Sequence, residues 1–302
     1  MIDYRKLNLP GKLIYINVVV YALTQLYRLF LTLFCISGNN WQDYLALHAD
    51  LDYLAFTPWT IFTYFFTHAD IGTDVFHIVF NMLWLWWFGQ FFLRYHTGRQ
   101  FLSVYLIGGL FSGLFFLFTY NVFPYFLFDR NSAAVVGASG AIFALIVAVA
   151  MRSPNETLYL NFFVRTIGVK MKWIAAIAIL INLMSLSNSQ NAGGIVCHLG
   201  GALWGLIYGI CESRGINITL WFDRLCDDIA NMFKRRPKMK ATKGGARTVN
   251  ADKRKDMDYN AQQRDRQAKI DAILDKISKS GYDGLTAEEK QLLFDASNRK
   301  KR

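Results

Sequence analysis

Six apolar runs near the length of a bilayer crossing dominate the chain: roughly 13–36, 75–93, 101–121, 138–151, 173–187 and 194–211. In lipid, each run must satisfy its own backbone hydrogen bonds, and an α-helix does so within the segment. The expected fold class is all-α: a polytopic membrane protein built on a six-transmembrane-helix bundle. Composition agrees, since 53% of the 302 residues are hydrophobic although the last third is very polar. The fourth and fifth runs are short for a crossing, so they extend into their flanks or sit in thinned bilayer. The first is not expected to be a cleaved signal peptide: it is too long, holds Arg28, and no small-residue cleavage site follows. Arg28 should face the bundle or snorkel, because a central charge costs about 3 kcal/mol on insertion scales.

Lysine and arginine alternate between loops. The N-terminal stretch carries Arg5, Lys6 and Lys12, the second loop Arg94 and Arg99, and the fourth Arg152, Arg165, Lys170 and Lys172. The first loop holds Asp43, Asp50 and Asp52 without a cation, the third only Arg130 beside Asp129, and the fifth no charge. The positive-inside tendency then puts both termini in the cytoplasm after six crossings. On that topology Ser139 lies in the first turn of the fourth segment, entering from outside. His198 lies about one turn into the sixth. His77 and Asn81 sit four apart on one face of the second. A single polar residue in a membrane helix often serves as interhelical hydrogen-bonding glue. Four at one depth, including a serine and two histidines, favour a site.

Their neighbours bear on this. Ser139 is flanked by Gly137, Ala138 and Gly140 at a helix start, where unpaired N–H groups suit an oxyanion. His198 is followed by Gly201, Gly205 and Gly209, a smooth face that lets the sixth helix press on Gly140, Ala141 and Ala144 of the fourth. Those small residues serve packing, and the packing brings His198 toward Ser139.

The three stretches His77-Ile-Val-Phe-Asn81, Gly137-Ala-Ser139-Gly140 and Cys197-His198-Leu-Gly-Gly201-Ala-Leu-Trp-Gly205 resemble the motifs of the rhomboid family of intramembrane serine proteases, of bacterial type. The likeness covers roughly residues 10–215. It implies a six-helix bundle with a water-filled cavity, and a serine endopeptidase cleaving single-span membrane proteins near the outer boundary. It also implies a multi-pass protein of the bacterial plasma membrane whose partners are transmembrane substrates and the lipid bilayer. Cys197 stands where the family has alanine, and Phe143 where many members have tyrosine; a ring at 143 can still stack on His198. Leu93 and Arg94 replace an acidic residue, and Trp59-Thr60 a Trp-Arg pair.

The residues support acyl transfer. Ser139 is the nucleophile and His198 the general base, a dyad because no Asp or Glu lies at that depth. The Ser139 N–H, His77 and Asn81 would hold the oxyanion. The small residues Gly137, Ala138 and Gly140 are expected to wall the cleft. Asp74 reads as a helix cap before His77 rather than its orienting partner. No metal or other cofactor is expected: His48, His68 and His96 lie in or beside loops without acidic neighbours, and the four cysteines show no ligand or disulfide spacing. The other function classes are a catalytically inactive rhomboid-like helix binder, which the intact Ser139 and His198 count against, and a transporter, which lacks an internal repeat here.

The domains are expected at 1–215 for the membrane unit, 216–262 for a basic cytoplasmic linker, and 263–302 for a small C-terminal helical hairpin. The net charge of +11 sits largely after residue 230, where attraction to lipid headgroups is plausible and nucleic-acid binding is not expected. In the hairpin, Ile270, Ile273, Leu274 and Ile277 form a stripe, Gly281 a C-cap, and Thr286 with Glu289 a capping box. It is too small for a large core and is expected to dock on another surface or on a cytoplasmic partner. Similar hairpins follow the membrane domain in some bacterial rhomboid-like proteins, a looser resemblance.

Overall fold

A computed structural model of the chain describes residues 7–36, 44–69, 71–161, 166–186, 191–233, 258, 261, 264–265, 268–278 and 281–292. Chain contacts divide it into two units, Met1–Lys234 and Arg235–Arg302.

The first unit is helical. Helix α1 (Leu9–Leu33) is followed by strand β1 (Leu47–His48), the short helices α2 (Leu51–Phe56) and α3 (Thr60–Thr63), and a 3-10 turn at Tyr64–Phe66. Then come α4 (Ile71–Tyr95), α5 (Gly98–Val122), α6 (Pro124–Leu127), strand β2 (Ala134–Val135) and α7 (Ser139–Arg152). The hairpin β3 (Thr157–Asn161) and β4 (Thr166–Lys170) leads to α8 (Met171–Ser185), α9 (Ala192–Ser213) and α10 (Leu220–Phe233). Helices α1, α4, α5 and α9 are long and apolar enough to cross a membrane. Helices α7 and α8, of 14 and 15 residues, are apolar but shorter. At 1.5 Å per residue α7 reaches about 21 Å, less than a hydrocarbon core of about 30 Å. Helix α7 is thus too short to reach by itself from one boundary of such a core to the other.

Local signals set the boundaries. Asn8 caps α1 through the Gly11 N–H, with Pro10 in the first turn. Thr97 and Gln100 close a capping box on α5, and Asn191 caps α9 through Gly194 N–H. Helix α7 is buried on nearly every side and packs on α4, α5, α8 and α9. Helix α1 buries only a narrow stripe, and Arg28 is exposed rather than turned into the bundle. The first loop is anchored. Strand β1 pairs antiparallel with β2, Tyr64 donates to the Gly109 carbonyl at 2.6 Å, and Gly137 N–H donates to the Tyr64 carbonyl at 2.9 Å.

Residues 216–233, read as linker, differ from expectation. Asp223 and Asp227, one turn apart on α10, meet Ser103 and Arg99, one turn apart on α5, each at 2.6 Å. The polar composition that reads as linker is here a docking face. Residues 234–257 of the expected linker and the Asp74 side chain lie outside the described residues.

In the second unit residues 268–278 are helical. Gly281 takes φ 76° and its N–H donates to the Ile277 carbonyl, closing that helix. Thr286 N–H donates to the Glu289 carboxylate at 2.8 Å and Glu289 N–H to Thr286 Oγ1 at 3.3 Å, closing the capping box. Ile273 and Leu285 are buried, whereas Leu274 stands exposed on the flank of the expected stripe.

Candidate functional site

Three helices deliver the four singled-out polar residues to one cavity of about 430 Å³. It is lined by His77, Phe80, Asn81 and Trp84 of α4, Ser139 and Phe143 of α7, and His198 of α9, among others. An apolar lobe of about 170 Å³ extends from Ser139 between α4, α7 and α8, past Trp84, Ile146 and Ile174.

Ser139 is the first residue of α7, where backbone N–H groups have no helical acceptor. Its Oγ lies 2.7 Å from His198 Nε2. The Phe143 ring, one turn on, stacks on the imidazole at 4.5 Å between centroids and 8° between planes. His198 reaches Ser139 because α7 and α9 nearly touch. A Cβ on Gly201 would collide with the Gly140 carbonyl oxygen, and one on Gly205 with the Ala144 carbonyl. A Cβ on Gly140 would stand 2.6 Å from Ser112 Oγ of α5. These glycines hold backbone against backbone.

Ala138 and Gly140, expected both to wall the cleft and to pack, are buried. Gly137 has a different task. Its φ of +122° strains any side chain, and a Cβ there would lie 2.8 Å from His77 Nε2. The turn into α7 therefore passes directly over the His77 ring. Ala69 N–H approaches His77 Nδ1 at 3.4 Å, which leaves the ring proton on Nε2, the atom beneath Gly137. His68 packs beside it, with ring centroids 5.4 Å apart. Burial first, and His77 second, lower the His68 pKa from 6.5 to about 3, so His68 is neutral around pH 7. Asn81 Nδ2 donates to the His77 carbonyl at 2.7 Å and has a second N–H to offer.

One contact was not anticipated. Asn182, on α8, presents Oδ1 to His198 Nδ1 at 2.7 Å. The available signal was a lone asparagine near the end of the apolar run "IAILINLMS". An amide, unlike a carboxylate, does not stand out as a partner for a catalytic histidine. Neither His48 nor His96 joins the cavity; His96 pairs with Glu212 at 2.6 Å beside Arg152.

Comparison with known proteins gives these positions a context. A family of unknown function (DUF6576) matches residues 253–299. RHOMBOID-like protein 12, mitochondrial, of Arabidopsis thaliana is 34% identical over 47% of this chain and 43% of its own length. Rhomboid protein 1, mitochondrial, of Saccharomyces cerevisiae is 26% identical over 69% and 54%. Presenilin-associated rhomboid-like protein, mitochondrial, of Homo sapiens is 31% identical over 50% and 39%. The chain thus spans about half the length of the curated relatives it matches. Each of these relatives carries a mitochondrial designation, which overturns the expected bacterial plasma membrane with cytoplasmic termini; multi-pass membrane insertion stands. Loop charges orient a chain within a membrane but do not identify the membrane. The Rhomboid domain model matches residues 55–215, more than half of the sequence and the whole span from the first loop to the end of α9, so the chain belongs to the rhomboid family.

Proposed function

We propose that the chain is an intramembrane serine endopeptidase that cuts single-span membrane proteins near the membrane boundary on the Ser139 side. The observation that carries this reading is the 2.7 Å contact between Ser139 Oγ and His198 Nε2 at a helix start facing a cavity. The family includes intramembrane serine proteases, which supports it.

Ser139 Oγ attacks the scissile carbonyl carbon as its proton passes to His198 Nε2. The carbonyl oxygen becomes an oxyanion, met by the unpaired Ser139 N–H, His77 Nε2–H and the second N–H of Asn81. Collapse breaks the C–N bond, and His198 returns the proton to the leaving amine. Water, deprotonated by His198, then attacks the ester carbon, releasing the new carboxyl terminus and restoring the serine hydroxyl. Phe143 keeps the imidazole plane in line throughout.

The direct test is labelling of detergent-solubilised protein by a fluorophosphonate, which reacts with an activated serine. Wild type is expected to label and Ser139→Ala to remain unlabelled. Equal labelling of the two would sink the reading. Asn81→Ala removes one oxyanion donor and is expected to lower kcat by roughly 100- to 1000-fold with little change in thermal stability. Undiminished turnover would leave Asn81 a purely structural role.

A further inference from the structure

We infer that Asn182 is a positioning residue that selects the His198 tautomer able to accept the serine proton; the inference rests on the peptidase reading above. Asn182 Nδ2 donates to the Ala178 carbonyl at 2.8 Å, one turn back on α8. That bond sets which way the amide points, because the opposite orientation would put two acceptors together. Oδ1 is then the atom facing His198 Nδ1 at 2.7 Å. An amide oxygen carries no hydrogen, so Nδ1 must be the donor. In the neutral ring the lone pair falls on Nε2, which lies 2.7 Å from Ser139 Oγ. The other tautomer would aim an N–H at the serine oxygen and could not act as a base.

The Phe143 stack does not make this choice. Stacking holds the ring plane, but a ring turned over by half a rotation stacks equally well. Only a directional acceptor at Nδ1 distinguishes the two orientations. As the serine proton arrives, both ring N–H groups have acceptors, so the imidazolium is also stabilised. An amide does this without placing a carboxylate at membrane depth, where a charge is expensive. The contact also ties the far end of α8 to the site. The helix buries only Met171 and Ala175, both in its first turns.

The test uses the full-length protein in detergent micelles with a fluorogenic single-span peptide. Asn182→Leu keeps the branched side-chain shape and removes the acceptor. It is expected to lower kcat about 10- to 100-fold, with KM nearly constant and an unfolding temperature near wild type. Asn182→Asp keeps an acceptor and is expected to recover most of the lost kcat. Asn182→Ala, which cannot clash, gives the same comparison should the leucine variant fail to accumulate. The ¹⁵N shifts of His198 are expected to move from the Nδ1–H toward the Nε2–H tautomer in Asn182→Leu. Wild-type kcat in Asn182→Leu, or unchanged ¹⁵N shifts, would each overturn the inference. The shifts need no turnover. A wild type that neither labels nor cuts therefore overturns the peptidase reading separately.

Discussion

Ser139→Ala and His198→Ala are each expected to abolish cleavage of a single-span substrate, lowering kcat/KM by a factor on the order of 10⁴ or more. The two losses should be alike, and the double variant little worse, because nucleophile and base act as one unit. The cut should fall near the membrane boundary on the Ser139 side. Ser139 opens α7, a helix too short to cross the hydrocarbon core, and faces a cavity of about 430 Å³ in which water can meet the ester. A helical peptide bond is shielded by its own hydrogen bonds, so the substrate must unwind locally, which Gly or Pro near its end favours. Truncation after Lys234, where the first unit ends, should leave the chemistry largely intact. Mass spectrometry of the products decides the matter. A cut at the opposite boundary, or one at full rate in Ser139→Ala, would make that serine a packing residue.

Gly201→Val is expected to be the most damaging substitution remote from the chemistry. Its new side chain would meet the Gly140 carbonyl oxygen, a backbone atom of α7 that cannot swing aside. Overpacking usually costs about 1–3 kcal/mol, and a clash between two helix backbones belongs above that range. Against a total stability of roughly 5–15 kcal/mol, much of the protein should fail to accumulate or should unfold at markedly lower temperature. What remains folded should hold His198 too far from Ser139 to react. Gly98→Ala is the matched control: its Cβ meets only the Leu9 side chain, whose terminal methyl can move. Thermal unfolding in detergent, with fluorophosphonate labelling of the surviving fraction, checks both. Equal stability of the two variants would mean that α7 and α9 are not held by this contact.

The asparagine on α8 illustrates what a sequence conceals. Ser139, His198, His77 and Asn81 are legible because each sits beside residues whose spacing makes sense only in a helix: glycines every fourth position, or a pair one turn apart. Asn182 has no such companion. Nothing in "IAILINLMS" says that this polar atom faces α9 rather than lipid. Helix α10 was hidden for the opposite reason. Its aspartates look like solvated linker until Arg99 and Ser103 of α5 are placed opposite them. For Gly140, a small residue beside the nucleophile fits a cleft wall as well as helix packing, and the sequence supports both. The positions of Ser112 and of the α9 backbone show how closely it is packed.

The sequence by itself determined the six apolar helices and which of their faces could come close, because apolar run length and glycine spacing are local properties that lipid and backbone sterics act on directly. Only the tertiary structure decided which atoms finally meet: Ser139 Oγ with His198 Nε2, and His198 Nδ1 with Asn182 Oδ1, each at 2.7 Å. Hydrogen bonding is directional and fails within a fraction of an ångström. Such contacts depend on the relative shift and rotation of packed helices, which no single segment encodes.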